Sequence, residues 1–237
     1  MEKSSKNIFI LTGIISIITG LLPIIGFQLL ASFGYPDIIR ETPSVILDSL
    51  YKARDTVPYL YYIGIGGAGL GIFFLVILLS KIFQESGDDI WGNLGKYCGM
   101  VNGLCLYGGI IRWTFLFPLL AKLRAEGVYE SKTVELVFEA FNTYIGDSIA
   151  EHVGFTFMFF WIIFFCIAIL KTGVLNRWIA LIGIIISMIA FYGNLEFFGA
   201  PGAFIFNRIG AELVAVWIIA LGINLIWKWK HKIKIEN

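Results

Sequence analysis

The chain alternates between long apolar segments and shorter stretches that hold most of its charged residues. A membrane-spanning helix needs about 20 mainly apolar residues to cross about 30 Å of hydrocarbon. Six segments meet this requirement, and each is bounded by charged residues, proline or clustered glycines. They cover residues 8–30, 58–80, 97–120, 148–170, 177–198 and 207–227. The pattern predicts an all-α fold, an integral membrane bundle of six transmembrane helices that forms a single domain over residues 1–237.

The composition agrees with a lipid environment. Hydrophobic residues make up 58% of the 237 residues and charged residues 15%, whereas a soluble domain has roughly 25% charged residues. A globule of this size cannot hide so much apolar surface, because too large a share of a small fold stays exposed. The net charge of +1 gives no reason to expect a nucleic-acid partner. The partner that the composition predicts is the lipid bilayer, and the oligomeric state stays open.

The distribution of basic residues predicts the orientation in the membrane. Six spans place both termini on one side, where the loops and tails contain ten Lys and Arg, against six in the loops of the other side. Because Lys and Arg accumulate in cytoplasmic loops, we expect a multi-pass protein of the cell membrane with both termini in the cytoplasm. The basic run after the sixth span favours an anchor at anionic lipid headgroups. Its lysines are Lys228, Lys230, Lys232 and Lys234.

The two long outer loops, residues 31–57 and 121–147, each contain an amphipathic stretch. In the first, Thr42 and Pro43 favour a helix start, since proline is common at the first helical position. In the second, one helical face is apolar and consists of Val134, Val137, Phe138, Phe141, Tyr144 and Ile145. Two interpretations stay open: interfacial helices that lie across the outer mouth of the bundle, or segments that pack on the bundle without sealing it.

Six ionisable residues lie inside the predicted spans. Such residues are costly in lipid, usually face the bundle interior and often mark a functional site. In the predicted topology all six fall in the outer half of the membrane, and the inner half has no comparable set. The six are Arg112 in the third span, Glu151 and His152 in the fourth, Glu196 in the fifth, and Arg208 and Glu212 in the sixth. We predict that these residues form a nearly charge-balanced ligand-binding cluster.

Three functions are compatible with this cluster. In the first, Arg112 and Arg208 hold a small anionic ligand or a lipid headgroup in an outward-facing polar pocket, and the acids balance them when it is empty. In the second, the protein is a structural or accessory subunit whose charges only fix helix packing, since buried ion pairs often do no more than break even. That alternative predicts a direct bond from Arg112 to an acid, with no cavity beside it. In the third, an intramembrane enzyme or transporter needs an aqueous path into the inner half, where polar groups are few.

Metal, cofactor and covalent chemistry find little support in the sequence. Zinc sites usually need more nitrogen or sulfur ligands than one histidine supplies, and Glu151 and His152 point about 100° apart on a helix. No serine or cysteine lies in a recognisable nucleophile elbow. The glycine run Gly64–Gly69 matches a dinucleotide fingerprint by letter, but it lies inside a span, where small residues let helices approach closely. We therefore expect no metal, no cofactor and no catalytic residue, and favour a protein that is not an enzyme.

Several features of the last third of the chain carry a family resemblance. They are Gly154 to Phe160 in the fourth span, the turn from Lys171 to Trp178 leading into Ile182-Gly183, and Gly210-Ala211-Glu212-Leu213 with Trp217 and Gly222 in the sixth span. Over roughly residues 150–225 the chain resembles a family of bacterial six-helix membrane proteins, domain of unknown function 4386. Asn176 stands where that family often has proline. The resemblance implies six spans with no established activity, and it gives Glu212 no catalytic role.

Overall fold

Helices account for most of the chain. The computed structural model describes the backbone of residues 2–236 and the side chains of residues 7–228. Over this part 88% of the residues are helical and none is in a strand. The described chain has six helical segments long and apolar enough to cross a membrane, namely Asn7–Phe33, Val57–Glu85, Ile90–Ala125, Ser131–Thr172, Arg177–Phe198 and Ala203–Lys228. The prediction of an all-α, six-span membrane fold is confirmed.

The spans are built from several helical pieces. The α-helices of the described chain are α1 (Glu2–Leu30), α2 (Pro43–Lys52), α3 (Val57–Leu60), α4 (Gly67–Glu85), α5 (Ile90–Thr114), α6 (Leu116–Ala125), α7 (Ser131–Phe141), α8 (Gly154–Thr172), α9 (Arg177–Asn194) and α10 (Ala203–Glu236). Two π-helical segments, Tyr61–Gly66 and Asn142–Val153, join α3 to α4 and α7 to α8. Short 3-10 turns cover Ala31–Phe33, Asp37–Arg40 and Leu195–Phe198. The side chains of Lys3, Lys6, Lys230, Lys232 and Lys234, which enter the orientation argument, lie outside the described residues.

The spanning helices pack as a closed ring in the order α1, α4, α5, α8, α9, α10 and back to α1. We call the side of the chain ends the terminal side and the side of the two long connections the loop side. Glycines permit the close approaches. A Cβ on Gly20 would lie 2.5 Å from the Ala215 carbonyl oxygen of α10, and one on Gly64 would lie 2.9 Å from Cα of Gly26. The Gly64–Gly69 run thus lies at helix contacts, as its position inside a span predicts.

The terminal-side half of the ring is filled by a continuous apolar core. Its fully buried members include Leu79, Phe83, Trp161, Phe165, Leu221 and Leu225. A buried polar contact joins α5 and α8 where this core meets the loop-side half of the ring. The Asn102 amide donates to the Gly154 carbonyl oxygen at 3.0 Å and accepts from Nε1 of Trp161 at 2.9 Å. On this side α9 begins at Arg177, where the Asn176 side chain accepts a hydrogen bond from the Trp178 backbone N–H at 3.0 Å. Asn176 therefore caps the first turn of α9.

The loop side carries a helical cap. Both amphipathic stretches are helices, as predicted: α2 begins at Pro43 and α7 covers Ser131–Phe141. However, α6 extends the third span and α7 leads directly into the fourth, so the two form a hairpin on which α2 packs. Arg124 of α6 joins the three helices through Asp48 of α2 and Glu135 of α7. The amphipathic stretches thus pack against each other and against the extension of the third span.

Candidate functional site

The loop-side half of the ring encloses a cavity of about 590 Å³. This volume lies within the range of about 300–1,000 Å³ that is typical of small-molecule sites. Charged and polar side chains line the part nearest the loops. The part nearest the membrane centre is lined by apolar side chains, including Ala68, Ile72, Leu106, Phe155, Met158, Val214 and Ile218. The cavity is therefore polar at one end and apolar at the other.

Five of the six residues predicted from the sequence line this cavity. They are Arg112, Glu151, Glu196, Arg208 and Glu212. His152 is not among the lining residues, because its ring packs edge-on against Phe197 and Phe198, with ring centroids 6.1 and 5.3 Å apart. Successive residues on a helix point in different directions. When Glu151 faces the cavity, His152 therefore faces away from it. The structure therefore does not bring His152 together with the other five.

Arg112 is the most buried charged residue of the cavity, with 8% of its surface exposed. Its guanidinium donates from Nη1 to the Gly109 carbonyl oxygen at 2.6 Å and from Nη2 to Oδ1 of Asn142 at 3.3 Å. Its Nε has no hydrogen-bond partner. Among the described side chains, no carboxylate lies within 4.0 Å of it. A buried cation with an unused donor is costly, so this position favours an anionic oxygen.

Two glycines allow the close packing around Arg112. A Cβ on Gly146 would clash with Nη2 of Arg112 and would lie 2.7 Å from its Cζ. A Cβ on Gly109 would clash with Cβ of Ala150, so Gly109 lets α5 approach the π-helical segment. The rings of Trp113 and Phe117 lie 5.9 and 5.7 Å from the Arg112 Cζ. The guanidinium is thus held in a fitted slot between α5 and the fourth span.

The π-helix Asn142–Val153 explains which side chains of the fourth span face Arg112. Bonds from residue i to i+5 give about 4.4 residues per turn, or about 82° per residue. At that step Asn142, Asp147 and Glu151 point in nearly the same direction, and all three line the cavity. In a regular α-helix, with about 100° per residue, Asn142 and Glu151 would lie on opposite faces. Such irregular backbone at membrane depth is tolerated where it lines a cavity.

Two further charged residues line the cavity that were not predicted from the sequence as site residues. Asp147 lies one residue before the predicted fourth span, and Arg40 lies in a connection. Arg40 pairs with Glu196 at 3.2 Å, and Nδ2 of Asn207 donates to the same carboxylate at 3.0 Å. By contrast, Asp147, Glu151 and Glu212 have no Lys or Arg nitrogen within 4.0 Å among the described residues. Arg208 likewise has no carboxylate that close, although it shares a face of α10 with Glu212.

Aromatic rings form one wall of the cavity beside Arg112. Tyr61 stacks on Trp113 with 4.6 Å between ring centroids, and Tyr35 meets Tyr61 edge-on at 6.4 Å. The Tyr61 hydroxyl is buried without a hydrogen-bond partner. Burial, followed by the nearby Glu151 carboxylate, raises the pKa of the Tyr35 phenol above its usual value, so this hydroxyl stays protonated. The wall therefore presents aromatic rings and phenol hydroxyl groups to the cavity.

A family model supports the membrane assignment. The model, described as domain of unknown function (DUF4386), matches residues 69–229, more than half of the chain. The chain belongs to this family. The match is wider than residues 150–225, where the sequence resemblance was seen, and it includes Arg112 and Gly146. No curated protein and no solved structure gave a match.

The described cavity lining of this DUF4386 protein is rich in hydrogen-bonding groups. Its lining combines arginine, carboxylate, amide and phenol groups, which are suited to hydrogen bonding with a polar or charged ligand. Among the described side chains, no group of three or more His, Cys, Asp or Glu is arranged to hold a metal ion. The part of the wall formed by α1, Tyr35 and Tyr61 precedes the region that the family model matches.

Proposed function

We propose that this DUF4386 protein binds a small anionic ligand, or the anionic headgroup of a lipid, in its loop-side cavity. The observation that carries the proposal is Arg112, a buried guanidinium that lines the cavity. Within the part of the chain that the structure describes, it has no carboxylate within 4.0 Å and its Nε has no hydrogen-bond partner. A phosphate or carboxylate oxygen beside it would form charge-assisted hydrogen bonds. Arg208, the other lining arginine without an acid that close, is the second residue expected to contact the anion.

The geometry gives less support to the two alternatives. A purely structural role predicts a direct bond from Arg112 to an acid and no cavity, whereas Arg112 bonds to a backbone carbonyl and an amide beside a cavity. Transport requires an aqueous path to the terminal side, whereas the described terminal-side half is an apolar core. The described lining of the cavity contains no serine, cysteine or histidine, the side chains that form the usual nucleophile–base pairs. A binding function that is not enzymatic fits these observations best.

We also infer that the protein lies in the cell membrane with both termini in the cytoplasm, so that the cavity opens to the outside. The support is the excess of Lys and Arg on the terminal side. Two exposed glutamates offer matched positions, Glu126 after α6 and Glu85 at the end of α4. In intact cells a membrane-impermeant maleimide is expected to label Glu126→Cys and not Glu85→Cys. The opposite labelling pattern would reverse the inferred orientation.

The binding proposal is tested with two probes that share the same anionic chemistry. Glycerol 3-phosphate represents a free ligand, and phosphatidylglycerol in nanodiscs represents a lipid headgroup. We expect native mass spectrometry to detect binding of at least one probe to the wild-type protein. Binding of glycerol 3-phosphate indicates a soluble ligand, whereas binding of phosphatidylglycerol alone indicates a headgroup.

The variant Arg112→Gln tests the residue that carries the proposal. Loss of a charged hydrogen bond costs about 1.5–3 kcal/mol, so affinity is expected to fall about 10- to 150-fold. Lys122→Gln is the matched control, because Lys122 is exposed on α6 and does not line the cavity. A thermal unfolding midpoint for each variant checks that it is folded. Failure of both probes to bind the folded wild type, or undiminished binding by folded Arg112→Gln, refutes the proposal.

A further inference from the structure

The charges of the cavity lining are unevenly distributed. Four acids and three arginines line it: Asp147, Glu151, Glu196 and Glu212, and Arg40, Arg112 and Arg208. The pair of Arg40 with Glu196 is internally neutral. The remaining set has two arginines and three carboxylates, none of them within 4.0 Å of an opposite charge in the described structure. A ligand with only negative charge pairs with the arginines and leaves the acids without a cation. A ligand that also carries an ammonium group pairs with both.

The aromatic wall gives a second reason to expect a cationic group. The stacked rings of Tyr61 and Trp113 stand beside the slot of Arg112, and Asp147 and Glu151 are the acids that interact with Arg112 electrostatically. Aromatic faces attract ammonium groups, and desolvation strengthens the attraction. The cavity thus has sites of both signs within one polar end, together with the buried and unpartnered Tyr61 hydroxyl.

The other end of the cavity suits a hydrocarbon chain. From Arg208 to Ile218 the lining of α10 descends by ten residues, or about 15 Å, from a charged to an apolar environment. A methylene group takes up about 30 Å³, close to the share of a water molecule in the liquid. A chain of twelve therefore needs about 360 Å³, and two such chains need about 720 Å³ before any headgroup is added. The cavity of about 590 Å³ accommodates one chain with a small headgroup, and not two chains.

The mouth of the cavity lies beside exposed apolar residues of the spanning helices. Its exposed lining residues are Gln28, Ala31, Arg40, Phe197, Arg208 and Glu212. All of them lie at the loop-side end of α1, in the connection after it, in the turn after α9 or on α10. The neighbouring apolar residues Leu29, Ile205 and Ile209 are exposed on the same helices. An amphiphile in the adjacent headgroup layer therefore has a short route into the cavity.

Resting on the proposed binding function, we propose that the ligand is a zwitterionic amphiphile with a single hydrocarbon chain. Arg112 and Arg208 bind its anionic group, Asp147 and Glu151 bind its ammonium group, and the chain occupies the apolar end beside Val214. The ligand class is that of a lysophospholipid with an amine in its headgroup. Such a ligand uses the charges of both signs, the aromatic wall and the apolar end at the same time.

Three probes separate the parts of this proposal. Lysophosphatidylethanolamine has the anion, the amine and one chain, lysophosphatidic acid of the same chain lacks the amine, and glycerophosphoethanolamine lacks the chain. In native mass spectrometry titrations of the detergent-purified protein, we expect lysophosphatidylethanolamine to bind at least about tenfold more tightly than either of the others. Glycerophosphoethanolamine has no chain to contact the apolar end, and lysophosphatidic acid has no ammonium group to pair with the carboxylates.

Two pairs of variants assign the preferences to residues. Val214→Phe fills the apolar end and is expected to abolish the gain from the chain, whereas Val216→Phe, at an exposed position two residues away, is expected to leave it unchanged. Retained binding of glycerophosphoethanolamine shows that Val214→Phe is folded. Asp147→Asn is expected to reduce the preference for lysophosphatidylethanolamine over lysophosphatidic acid about tenfold. Asp55 is exposed in a connection, and Asp55→Asn is expected to leave this preference unaltered.

The outcomes distinguish this proposal from the binding function on which it rests. If glycerol 3-phosphate and phosphatidylglycerol both fail to bind, the binding function itself is refuted, and the present proposal is refuted with it. If lysophosphatidic acid binds as tightly as lysophosphatidylethanolamine, the cavity holds an anion without an amine, and the zwitterionic ligand is rejected. If the chain adds no affinity, or Val214→Phe behaves as Val216→Phe does, the single-chain site is rejected while anion binding stands.

Discussion

Replacing Gly146 with alanine is the sharpest perturbation of the Arg112 slot. The added Cβ would clash with Nη2 of Arg112 and lie 2.7 Å from its Cζ, well inside the separation of about 3.5–4 Å at which carbon atoms attract. Either the fourth span moves away from α5, or the guanidinium leaves its hydrogen bonds to Gly109 and Asn142. Both responses weaken the contact that positions Arg112 in the cavity wall.

The net effect is a balance of opposing terms. Overpacking of a fitted site costs about 1–3 kcal/mol, and a lost hydrogen bond to a charged group costs about 1.5–3 kcal/mol. Alanine in a helix gains about 1 kcal/mol over glycine. We therefore expect Gly146→Ala to lower the free energy of unfolding by about 1–3 kcal/mol. Gly108 on α5 is the control, since a Cβ there meets no atom within 4 Å, and Gly108→Ala is expected to be neutral or stabilising by up to about 1 kcal/mol.

The assay is unfolding in mixed dodecyl maltoside and SDS micelles, followed by tryptophan fluorescence. A double-mutant cycle with Arg112→Met isolates the contact, because Gly146→Ala should cost little once the guanidinium is gone, which gives a coupling of about 1–3 kcal/mol. Equal stability of Gly146→Ala and Gly108→Ala would show that Arg112 does not pack against Gly146. An additive cycle would lead to the same conclusion.

Two further predictions concern the core and the cap. Asn102→Leu leaves the buried Nε1 of Trp161 without its acceptor, so we expect a loss of about 1–3 kcal/mol in the same unfolding assay; unchanged stability would mean that this contact contributes nothing. Arg124→Gln removes the link among α2, α6 and α7, and proteinase K is expected to cut the α6–α7 connection faster than in Lys122→Gln, whose ion pair is exposed and weak. Equal cleavage rates would argue against a role for Arg124 in holding the cap.

The six spans were predictable because lipid imposes a simple rule on sequence. Any chain that crosses about 30 Å of hydrocarbon must supply about 20 apolar residues in succession, and this requirement is local. The depth of charged residues within the spans follows from counting along each helix, and that was sufficient to group Arg112, Glu196 and Arg208 near one end of the bundle. The start of α2 at Pro43 is likewise a local signal.

The direction of each side chain was not predictable, because it depends on the type of helix and on its neighbours. The predicted α-helical period gave no indication that Asn142–Val153 is a π-helix, which places Asn142 on the same side as Glu151. Asp147 was missed since it fell just outside the apolar window, and His152 was included because depth alone does not distinguish the cavity face from the Phe198 side. Arg40 pairs with Glu196 across 156 residues of sequence, a separation that only the closed ring explains.

The apolar core of the terminal-side half has an electrical consequence. Water and ions that enter the cavity from the loop side keep it close to the electrical potential of that side. Most of the transmembrane voltage therefore falls across the apolar core, which includes Leu79, Trp161 and Leu221. Moving one charge through the whole field is worth about 2.3 kcal/mol per 100 mV, but a charge on Arg112 experiences only a small part of that drop. Occupancy of the cavity should therefore respond little to membrane polarisation.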